Sequence, residues 1–397
     1  MQQKRAGHAK WSSKFLTFAS LFAFPFLSAV AQQTAFTEQA KLIKAPTAVT
    51  TLGIDLFGDK VNLYTGALEF IQTDVSLPGN STLPVSVGRR LVAGREAVVG
   101  ALFGGWDLEI PHLHGIFASS TGWVNINKSA NRCSAYSEAP EVSTPNSGAI
   151  WSGSEYWHGN FMYIPGLGDQ EMLRREQNYK SAPSNATGTY PIVTRNNWSI
   201  KCLSKLASGD AGEGFIAISP DGTTYQFDWM VRRRADPLIK NSLAPANIST
   251  PSQPDYVVES NTTLPLPGTS NIIGTPQLDR VEVWILPTKV TDKFGNTVTY
   301  TYDTTNKWQL KTIVGNDVSD SSRTLTLTYQ TPGATTSNLV SSVSDGTRTW
   351  KYSYDATSLF AQLQTVTLPD QSKWSLGDIK GLLFGIKYLG NSSCDDP

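Results

Sequence analysis

A short pattern recurs toward the carboxyl-terminal end of the sequence, and this recurrence restricts the fold more than any other feature. The copies read GNTVTYTYD at 295–303, SRTLTLTYQ at 322–330 and GTRTWKYSYD at 346–355. Apolar or aromatic residues alternate with Thr, Ser or Lys, which is the period of a β-strand with one buried face. The repeat-defining residues are Gly295, Tyr300, Tyr302, Asp303, Tyr329, Gly346, Tyr352, Tyr354 and Asp355. Each copy is therefore predicted to be an amphipathic strand.

A second signal, Leu-x-x-Val or a close variant, follows each copy. Turn sequences such as Asp345-Gly346 lie between the segments, and Asp-Gly supplies the positive φ that a hairpin turn needs. The pairs are Leu310 with Ile313, Val340 with Val343, and Leu363 with Val366. Each unit is thus predicted to be a β-hairpin with one apolar face. Because one hairpin cannot bury that face alone, successive hairpins must join into a continuous sheet.

The rest of the chain also has the composition of strands and turns. Gly and Pro recur every few residues, and Thr, Val, Tyr and Trp are plentiful. The one stretch with helical character is GDQEMLRREQNYK at 168–180. Fainter copies of the repeat at 221–228 and 370–376 extend the predicted sheet in both directions. The predicted fold class is all-β, built from antiparallel hairpin repeats with a β-rich N-terminal region.

Residues 1–31 have the features of a cleaved secretory signal peptide. A basic start containing Lys4, Arg5, Lys10 and Lys14 precedes a short apolar core at 15–26, and small residues end at Ala31. The apolar core is too short to span a bilayer. We expect export and a mature chain that starts near Gln32, and no later stretch is apolar enough to be a transmembrane segment.

Composition divides the chain into segments. We predict a signal peptide at 1–31, a β-rich region containing many Trp and Gly at 32–235, a connection rich in Pro, Ser and Thr at 236–275, and the repeats at 276–397. The 33 basic residues include the four of the leader, so the mature chain has fewer basic than acidic residues, of which there are 33. This balance argues against nucleic acid as a partner.

Three cysteines are present, and export permits a disulfide. Cys133 and Cys202 are the natural pair because both lie in the same half of the chain, which leaves Cys394 odd. The alternative, that all three are buried thiols, remains open because sequence does not fix cysteine connectivity.

Several residues have side chains of the types found in catalytic or metal-binding sites. His112 and His114 would project from the same face of a strand, with His158 as a third candidate zinc ligand, but partly exposed histidines are the simpler interpretation. A carboxylate pair for glycoside hydrolysis has no marked spacing among the acidic residues considered, which are Asp55, Asp59, Asp107, Glu109 and Glu155. We therefore assign no metal ligand, cofactor or catalytic residue.

Other motifs have simpler structural explanations. The stretch Trp151–Ser154 lacks the first glycine of a nucleophile elbow. The run Arg232–Arg234 is interpreted as a solvated strand end. Tryptophans are frequent in the first region and could stack on sugars, but we expect them in the core; they are Trp106, Trp123, Trp151, Trp157 and Trp198.

The repeat resembles the YD repeat of the bacterial Rhs family, which runs G-x-x-x-x-Y-x-Y-D and continues into a Leu-x-x-Val strand. The segments 295–303 and 346–355 match it closely, whereas 322–330 lacks the leading glycine and the closing aspartate. The sequence at 57–123 also resembles the N-terminal region of secreted Rhs-repeat proteins. The resemblance covers less than half of the mature chain.

The resemblance implies a curved or spiral β-sheet wound into a shell that encloses or presents a C-terminal toxin or effector, or that acts in cell contact. The repeats of such proteins catalyse nothing, so we expect a non-catalytic structural segment and no enzyme. Few repeats are present and the terminal core motif of the family is missing, so we expect a truncated or N-terminal fragment. The alternatives are an adhesin that binds cell-surface glycans or proteins through the Trp-rich region and, less favoured, a secreted hydrolase.

Overall fold

The computed structural model describes residues 59–61, 68–92, 101–144, 148–175, 190–239, 276–318, 322–330, 338–355, 361–376 and 386–389, with only the backbone path at the first and last of these ranges. The predicted signal peptide, most of the predicted connection, Asp55 and Cys394 lie outside these residues. The described part is almost entirely antiparallel β-structure, so the predicted all-β fold is confirmed.

The first group of elements ends with the long strand that finishes at Ile239. Its members are β1 (Asp59–Val61), β2 (Leu68–Leu77), β3 (Val85–Val92), β4 (Asp107–Leu108), β5 (His112–Ala118), β6 (Val142–Ser143), β7 (Ile150–Trp151), the short helix α1 (Gly153–Tyr156), β8 (Phe161–Ile164), β9 (Gly168–Arg174), β10 (Ile192–Thr194), β11 (Ser199–Leu203), β12 (Gly214–Ile218) and β13 (Thr224–Ile239).

The second group contains the repeats. Its members are β14 (Gln277–Thr291), β15 (Thr297–Tyr302), β16 (Leu310–Asn316), β17 (Arg323–Tyr329), β18 (Val340–Ser344), β19 (Thr349–Asp355), β20 (Gln362–Thr367), β21 (Lys373–Leu376) and β22 (Ile386–Leu389).

Strand β9 corrects the helical character expected at 168–180 for its first part, 168–174, whereas residues 176–180 lie outside the described ranges. It pairs with β8 on one side and with β10 on the other, and its buried residues alternate, with Gln170 and Met172 pointing inward. Ladder pairing on both edges outweighs the local preference of Glu, Met, Leu and Arg for a helix, because tertiary context overrides such weak preferences.

Sixteen of the described strands form one sheet, and eight of them close into a barrel. The closed ring runs β13-β12-β11-β10-β9-β8-β5-β14 and returns to β13. Its core contains large apolar side chains such as Phe117, Phe215 and Ile285, together with part of the excursion that links β5 to β8. A disulfide joins Cys133 of that excursion to Cys202 of β11, with the two Cα atoms 5.5 Å apart.

Strand β14 belongs to both the barrel and the repeat sheet. One of its edges pairs with β13 along nearly its whole length. The other edge pairs with β5 over Arg280–Ile285 and then with β15 over Lys289–Thr291. The repeat strands β15 to β22 follow from that second edge as a succession of antiparallel hairpins. A single long strand therefore joins the two parts of the molecule.

A separate four-stranded sheet, β1-β2-β3-β4, covers the inner face of the repeat sheet; we call it the inner sheet. Side chains such as Val85, Val87 and Phe103 pack against Tyr352 and Ile313 of the repeats. The backbone joins the two as well, since the amides of Val340 and Leu363 donate to carbonyls of the segment that leads into β4. The apolar face of the repeats is thus buried.

Gly104 makes one of these close approaches possible. Its φ is +58°, and a Cβ placed on it would lie 2.8 Å from the backbone of Ala361 and Leu363. Only glycine combines that backbone conformation with that proximity. The carbonyl of Gly104 can therefore accept the hydrogen bond of the Leu363 amide.

Each repeat contains a β-bulge at the same place. The register shifts between Thr301 and Tyr302, between Thr328 and Tyr329, and between Ser353 and Tyr354, and each shift skips one residue of the partner strand. The skipped residues are Lys311, Ser341 and Gln364, which directly follow the first residue of each Leu-x-x-Val pair.

The bulge explains why the pair is spaced by three. Side chains three apart on a regular strand face opposite sides, yet both members of each pair are buried on the inner side. The one extra residue at the bulge places the side chains of both members on the same side of the sheet. A bulge also bends the strand and increases its twist. The spacing of three in the sequence therefore indicates a bulge, and the bulge bends the sheet.

The closing tyrosines of the repeats share a hydrogen bond. Tyr302 donates to the carbonyl of Pro287 at 2.7 Å, Tyr329 to that of Leu310 at 2.9 Å, and Tyr354 to that of Val340 at 2.6 Å. In every case the acceptor lies on the preceding strand. These bonds satisfy a buried hydroxyl and fix each repeat to the one before it.

Aspartates begin the turns between hairpins. Asp292, Asp345 and Asp370 each accept backbone amides of the next residues, and Gly295 and Gly346 adopt positive φ in these turns. The closing Asp303 accepts the amides of Thr305 and Asn306 and pairs with Lys311 at 2.7 Å. In the first repeat, the closing aspartate thus caps the turn that leads to the next strand.

We expect deletion of Gln364 to destabilise the protein far more than Gln364→Ala. Gln364 is exposed, so its side chain contributes little, and the substitution should change the free energy of unfolding by less than about 0.5 kcal/mol. Deletion removes the bulge and turns Leu363 or Val366 outward, at a cost of about 2–5 kcal/mol. Urea denaturation measures both. Equal effects would contradict the role given to the bulge.

We expect Asp303 to contribute to acid sensitivity. Its pair with Lys311 and its backbone hydrogen bonds lower the pKa of Asp303 to about 2, from an ordinary value of about 3.9. Because the pKa of Asp303 is lowered in the folded state, its contribution to the free energy of unfolding is complete above the ordinary pKa. That contribution is lost as the pH falls from about 4 toward 2. The free energy of unfolding, measured by urea denaturation between pH 5 and pH 2, should fall less steeply with decreasing pH in Asp303→Asn than in the unaltered protein. An intermediate slope is expected for Lys311→Gln, since the backbone amides remain, and an unchanged slope in Asp303→Asn would refute the assignment.

Candidate functional site

Charged side chains lie among the apolar ones where the inner sheet meets the barrel and the repeats. We call this set the interior network. It contains the ion pairs and hydrogen bonds that cross or support this contact, and its residues are Asp74, Arg89, Asp107, Arg233, Glu282, Asp317, Arg323 and Tyr352.

Arg233 is a deeply buried cation of the network. Its guanidinium donates to Asp107 of the inner sheet at 2.6 and 3.1 Å and to Glu282 of β14 at 2.7 Å. It lies over the ring of Trp284 at 4.5 Å, and the Trp284 indole donates to Glu282 at 2.8 Å. Burial acts to lower the pKa of Arg233, but the two carboxylates outweigh burial and raise it. The guanidinium therefore remains charged and fixed by two acids.

The position of Arg233 corrects the expectation that Arg232–Arg234 is a solvated strand end. Residues 232 and 234 are exposed, whereas the Arg233 side chain is only 1% exposed. Period-two alternation along β13 places Arg233 on the same face as Trp229 and Val231, which pack toward the inner sheet. That alternation was the signal in the sequence that could have identified it.

Asp74 links the inner sheet to the third repeat. It accepts two hydrogen bonds from Arg89, at 2.7 and 2.9 Å, and one from the hydroxyl of Tyr352 at 2.9 Å. Arg89 also lies over the ring of Trp106 at 4.9 Å. The side chains of Asp74 and Arg89 are each 3% exposed, so the pair is held in a nearly dry setting.

Asp317 links the turn of the inner sheet to the end of β16. Its carboxylate accepts the Ser81 hydroxyl at 2.6 Å and the backbone amides of Asn80 and Ser81. Arg323 completes the arrangement by donating to Asp317 and to the carbonyl of Leu77. The hydrogen bonds of Ser81, followed by the charge of Arg323, lower the pKa of Asp317. The carboxylate is thus held ionised as a structural anchor.

The two histidines of β5 lie side by side but do not form a metal centre with His158. The rings of His112 and His114 are 5.3 Å apart, His112 stacks on Trp284 at 3.6 Å, and His158 is exposed. Burial, His114 and Arg90 lower the pKa of His112, so its imidazole is neutral. No group of three or more His, Cys, Asp or Glu side chains suited to a metal ion occurs in the described ranges.

His114 is paired with Asp169. The Nε2 atom lies 2.9 Å from the carboxylate. Burial alone would raise the pKa of Asp169, but its hydrogen bond to His114 and the charge of Arg90 hold it far below its ordinary value. This pair joins β5 to β9 within the barrel wall.

The other candidate acids have structural partners. Asp107 binds Arg233, and Glu109 accepts the hydroxyl of Tyr163 at 2.7 and 3.0 Å. Glu155 accepts the amide of Ser152 at the start of α1. Of the candidate acids, Asp107, Glu109 and Glu155 thus take part in packing contacts.

The tryptophans of the first region are core residues, as predicted. Trp106, Trp123, Trp151 and Trp198 are each 3% exposed, and Trp157 is half-buried. Trp123 packs against Phe117 inside the barrel. These four buried rings present no free face on which a sugar could stack.

The comparisons with known proteins show similarity in solved structures only. No family model matches the chain, and no curated protein matches it. The chain is similar to the crystal structures of TcdB2-TccC3-Cdc42 (12% identity, 79% of this chain and 16% of that chain, TM-score 0.34) and TcdB2-TccC3 (13% identity, 81% and 16%, TM-score 0.32). It is also similar to the N-terminal domain of effector protein SpvB from Salmonella typhimurium strain LT2 (12% identity, 81% and 99%, TM-score 0.28).

The chain therefore spans about a sixth of the length of the first two structures. TM-scores below 0.5 carry no argument about function, which is drawn from the geometry of the chain itself.

We expect Arg233→Met to destabilise the protein by about 3–5 kcal/mol, because it removes the buried cation that balances the charges of Asp107 and Glu282. Arg234→Met, on the exposed face of the same strand, is the matched control and should cost less than about 0.5 kcal/mol. Urea denaturation monitored by tryptophan fluorescence measures both. Similar effects of the two substitutions would show that Arg233 does not hold the sheets together.

Proposed function

We propose that this chain is exported and serves as a non-catalytic wall segment of a β-shell of the Rhs/YD-repeat kind, which encloses or presents a C-terminal effector or mediates cell contact. The observation that carries the proposal is the bulge repeated at the same position of three successive hairpins. Regularly spaced bulges bend a sheet in one sense, as the wall of a container requires.

The two faces of the repeat sheet support a wall function. The inner face is apolar and aromatic, with residues such as Leu325, Leu327 and Trp350, whereas the outer face is rich in Thr, Ser and Lys. The outer face is therefore suited to solvent and the inner face to packing. Among the described strands, β22 pairs only with β21, so a further hairpin of the same kind could be added at that edge.

Export is proposed from the leader and is supported by the disulfide. The Cys133–Cys202 bond is of a kind that persists in oxidising compartments. No helix in the described part of the chain is long and apolar enough to cross a membrane.

The adhesin and the hydrolase receive no specific support. The adhesin requires tryptophan rings exposed in a row, and four of the five considered are buried. The hydrolase requires two carboxyl groups facing each other across a cleft, whereas Asp107 is bound to Arg233.

The proposal is tested on the native protein purified without reductant from the medium of the producing cells. We expect a mature chain that starts near Gln32, and an attached or bound polypeptide that resists protease until urea opens the shell. The same polypeptide released by urea and diluted back is the control for its intrinsic sensitivity. Retention of the protein inside the cells or turnover of a glycan by the purified chain would refute the proposal, and immediate digestion of the polypeptide would refute its enclosure.

A further inference from the structure

A cavity of about 240 Å³ lies between the inner sheet, the turn after β8 and the first repeat. Its floor is apolar and contains the buried residues Leu108, Val298 and Ile313. Its rim includes exposed residues such as Pro84 and Gly166, so the cavity communicates with solvent. An apolar cavity of about 150 Å³ holds benzene, so this one has room for roughly ten non-hydrogen atoms.

Two tyrosines of this cavity differ from the closing tyrosines of the repeats. Tyr300 and Tyr225 both line it, and among the described residues neither hydroxyl donates to a protein acceptor. By contrast, Tyr302, two residues further along the same strand as Tyr300, donates to a backbone carbonyl. Tyr300 is only 8% exposed as a whole, but its hydroxyl is not among the buried polar atoms without a partner, so the oxygen is accessible from the cavity. Water can serve such a hydroxyl as acceptor, and the acceptor group of a ligand that enters the cavity can take the place of that water.

The chemistry of the lining restricts the ligand. Burial raises the pKa of both Tyr225 and Tyr300, so each hydroxyl remains a neutral donor at ordinary pH. Glu109 also lines the cavity and disfavours an anion. A mostly apolar wall with a few convergent polar groups is the usual character of a small-molecule site.

We propose that this cavity binds a small, neutral, largely apolar molecule whose carbonyl accepts hydrogen bonds from Tyr300 and Tyr225. The apolar body lies on Leu108, Val298 and Ile313, and the carbonyl lies toward the two hydroxyls. This site is independent of the wall function, because neither the curvature of the repeats nor export enters the argument.

Acetophenone, ethylbenzene and benzoate are the probes, since they have similar size but differ in the acceptor and the charge. We expect acetophenone to bind the purified protein and raise its Tm with concentration, ethylbenzene to bind more weakly, and benzoate not to bind. Isothermal titration calorimetry measures the affinities. Failure of acetophenone to bind at millimolar concentration, or equal affinity for ethylbenzene, would overturn the proposal.

Tyr300→Phe is the decisive variant because it removes one hydroxyl and keeps the ring. We expect its affinity for acetophenone to fall about three- to tenfold, the effect of one lost hydrogen bond. Tyr302→Phe is the matched control on the same strand: it removes the bond to Pro287 but no group of the cavity, so its affinity should be that of the unaltered protein. Circular dichroism verifies that both variants are folded. An unchanged affinity in Tyr300→Phe, or an equal loss in both variants, would refute the role of this hydroxyl.

Discussion

The inner face of the repeat sheet must be covered if hairpins of this kind are to fold in water, and the bulges determine whether that face exists at all. A regular strand would send one member of each Leu-x-x-Val pair outward, and half of the apolar surface would remain in solvent. With the extra residue, Leu310 and Ile313 share the inner side, and the same holds in the next two repeats. The same bulge therefore bends the sheet and places both members of each pair in the core.

The inner sheet covers this face with charged as well as apolar side chains. Apolar contact would tolerate sliding of one sheet on the other, because dispersion and the hydrophobic effect have little direction. The bonds from Tyr352 to Asp74 and from Arg233 to Asp107 do have direction, and they connect residues far apart in the chain. Buried pairs of this sort add little net stability, but breaking one is costly, so they favour a single arrangement of the two sheets.

The sequence predicted the repeat strands well because their information is local. Alternation of Thr with Tyr gives the inward and outward faces of β15 without any knowledge of its neighbours. The sequence also contains a signal for the bulges, because the two residues of each Leu-x-x-Val pair are three apart in strands whose side chains alternate with a period of two.

The role of Arg233 depends on Asp107, which lies 126 residues away, and no local sequence pattern indicates that pairing. The helical character expected at 168–180 was wrong over 168–174 for the same reason, since the partners on both edges of β9 come from other segments. The cavity likewise could not be foreseen, because its lining combines residues from the inner sheet, the turn after β8, β13, β14 and the first repeat.

The place of β14 in the sheet imposes an order on folding. The barrel strands from β5 to β13 are all synthesised before β14, yet the ring closes only when β14 pairs with β5 on one edge and β13 on the other. Until then the barrel is an open sheet with two unpaired edges, the form of β-structure most prone to pair with other chains. Pairings between distant segments form slowly, and large proteins pass through such partly assembled states. Such a chain is protected from pairing with other chains if it stays unfolded, or bound to a chaperone, until residues 277–291 have been synthesised.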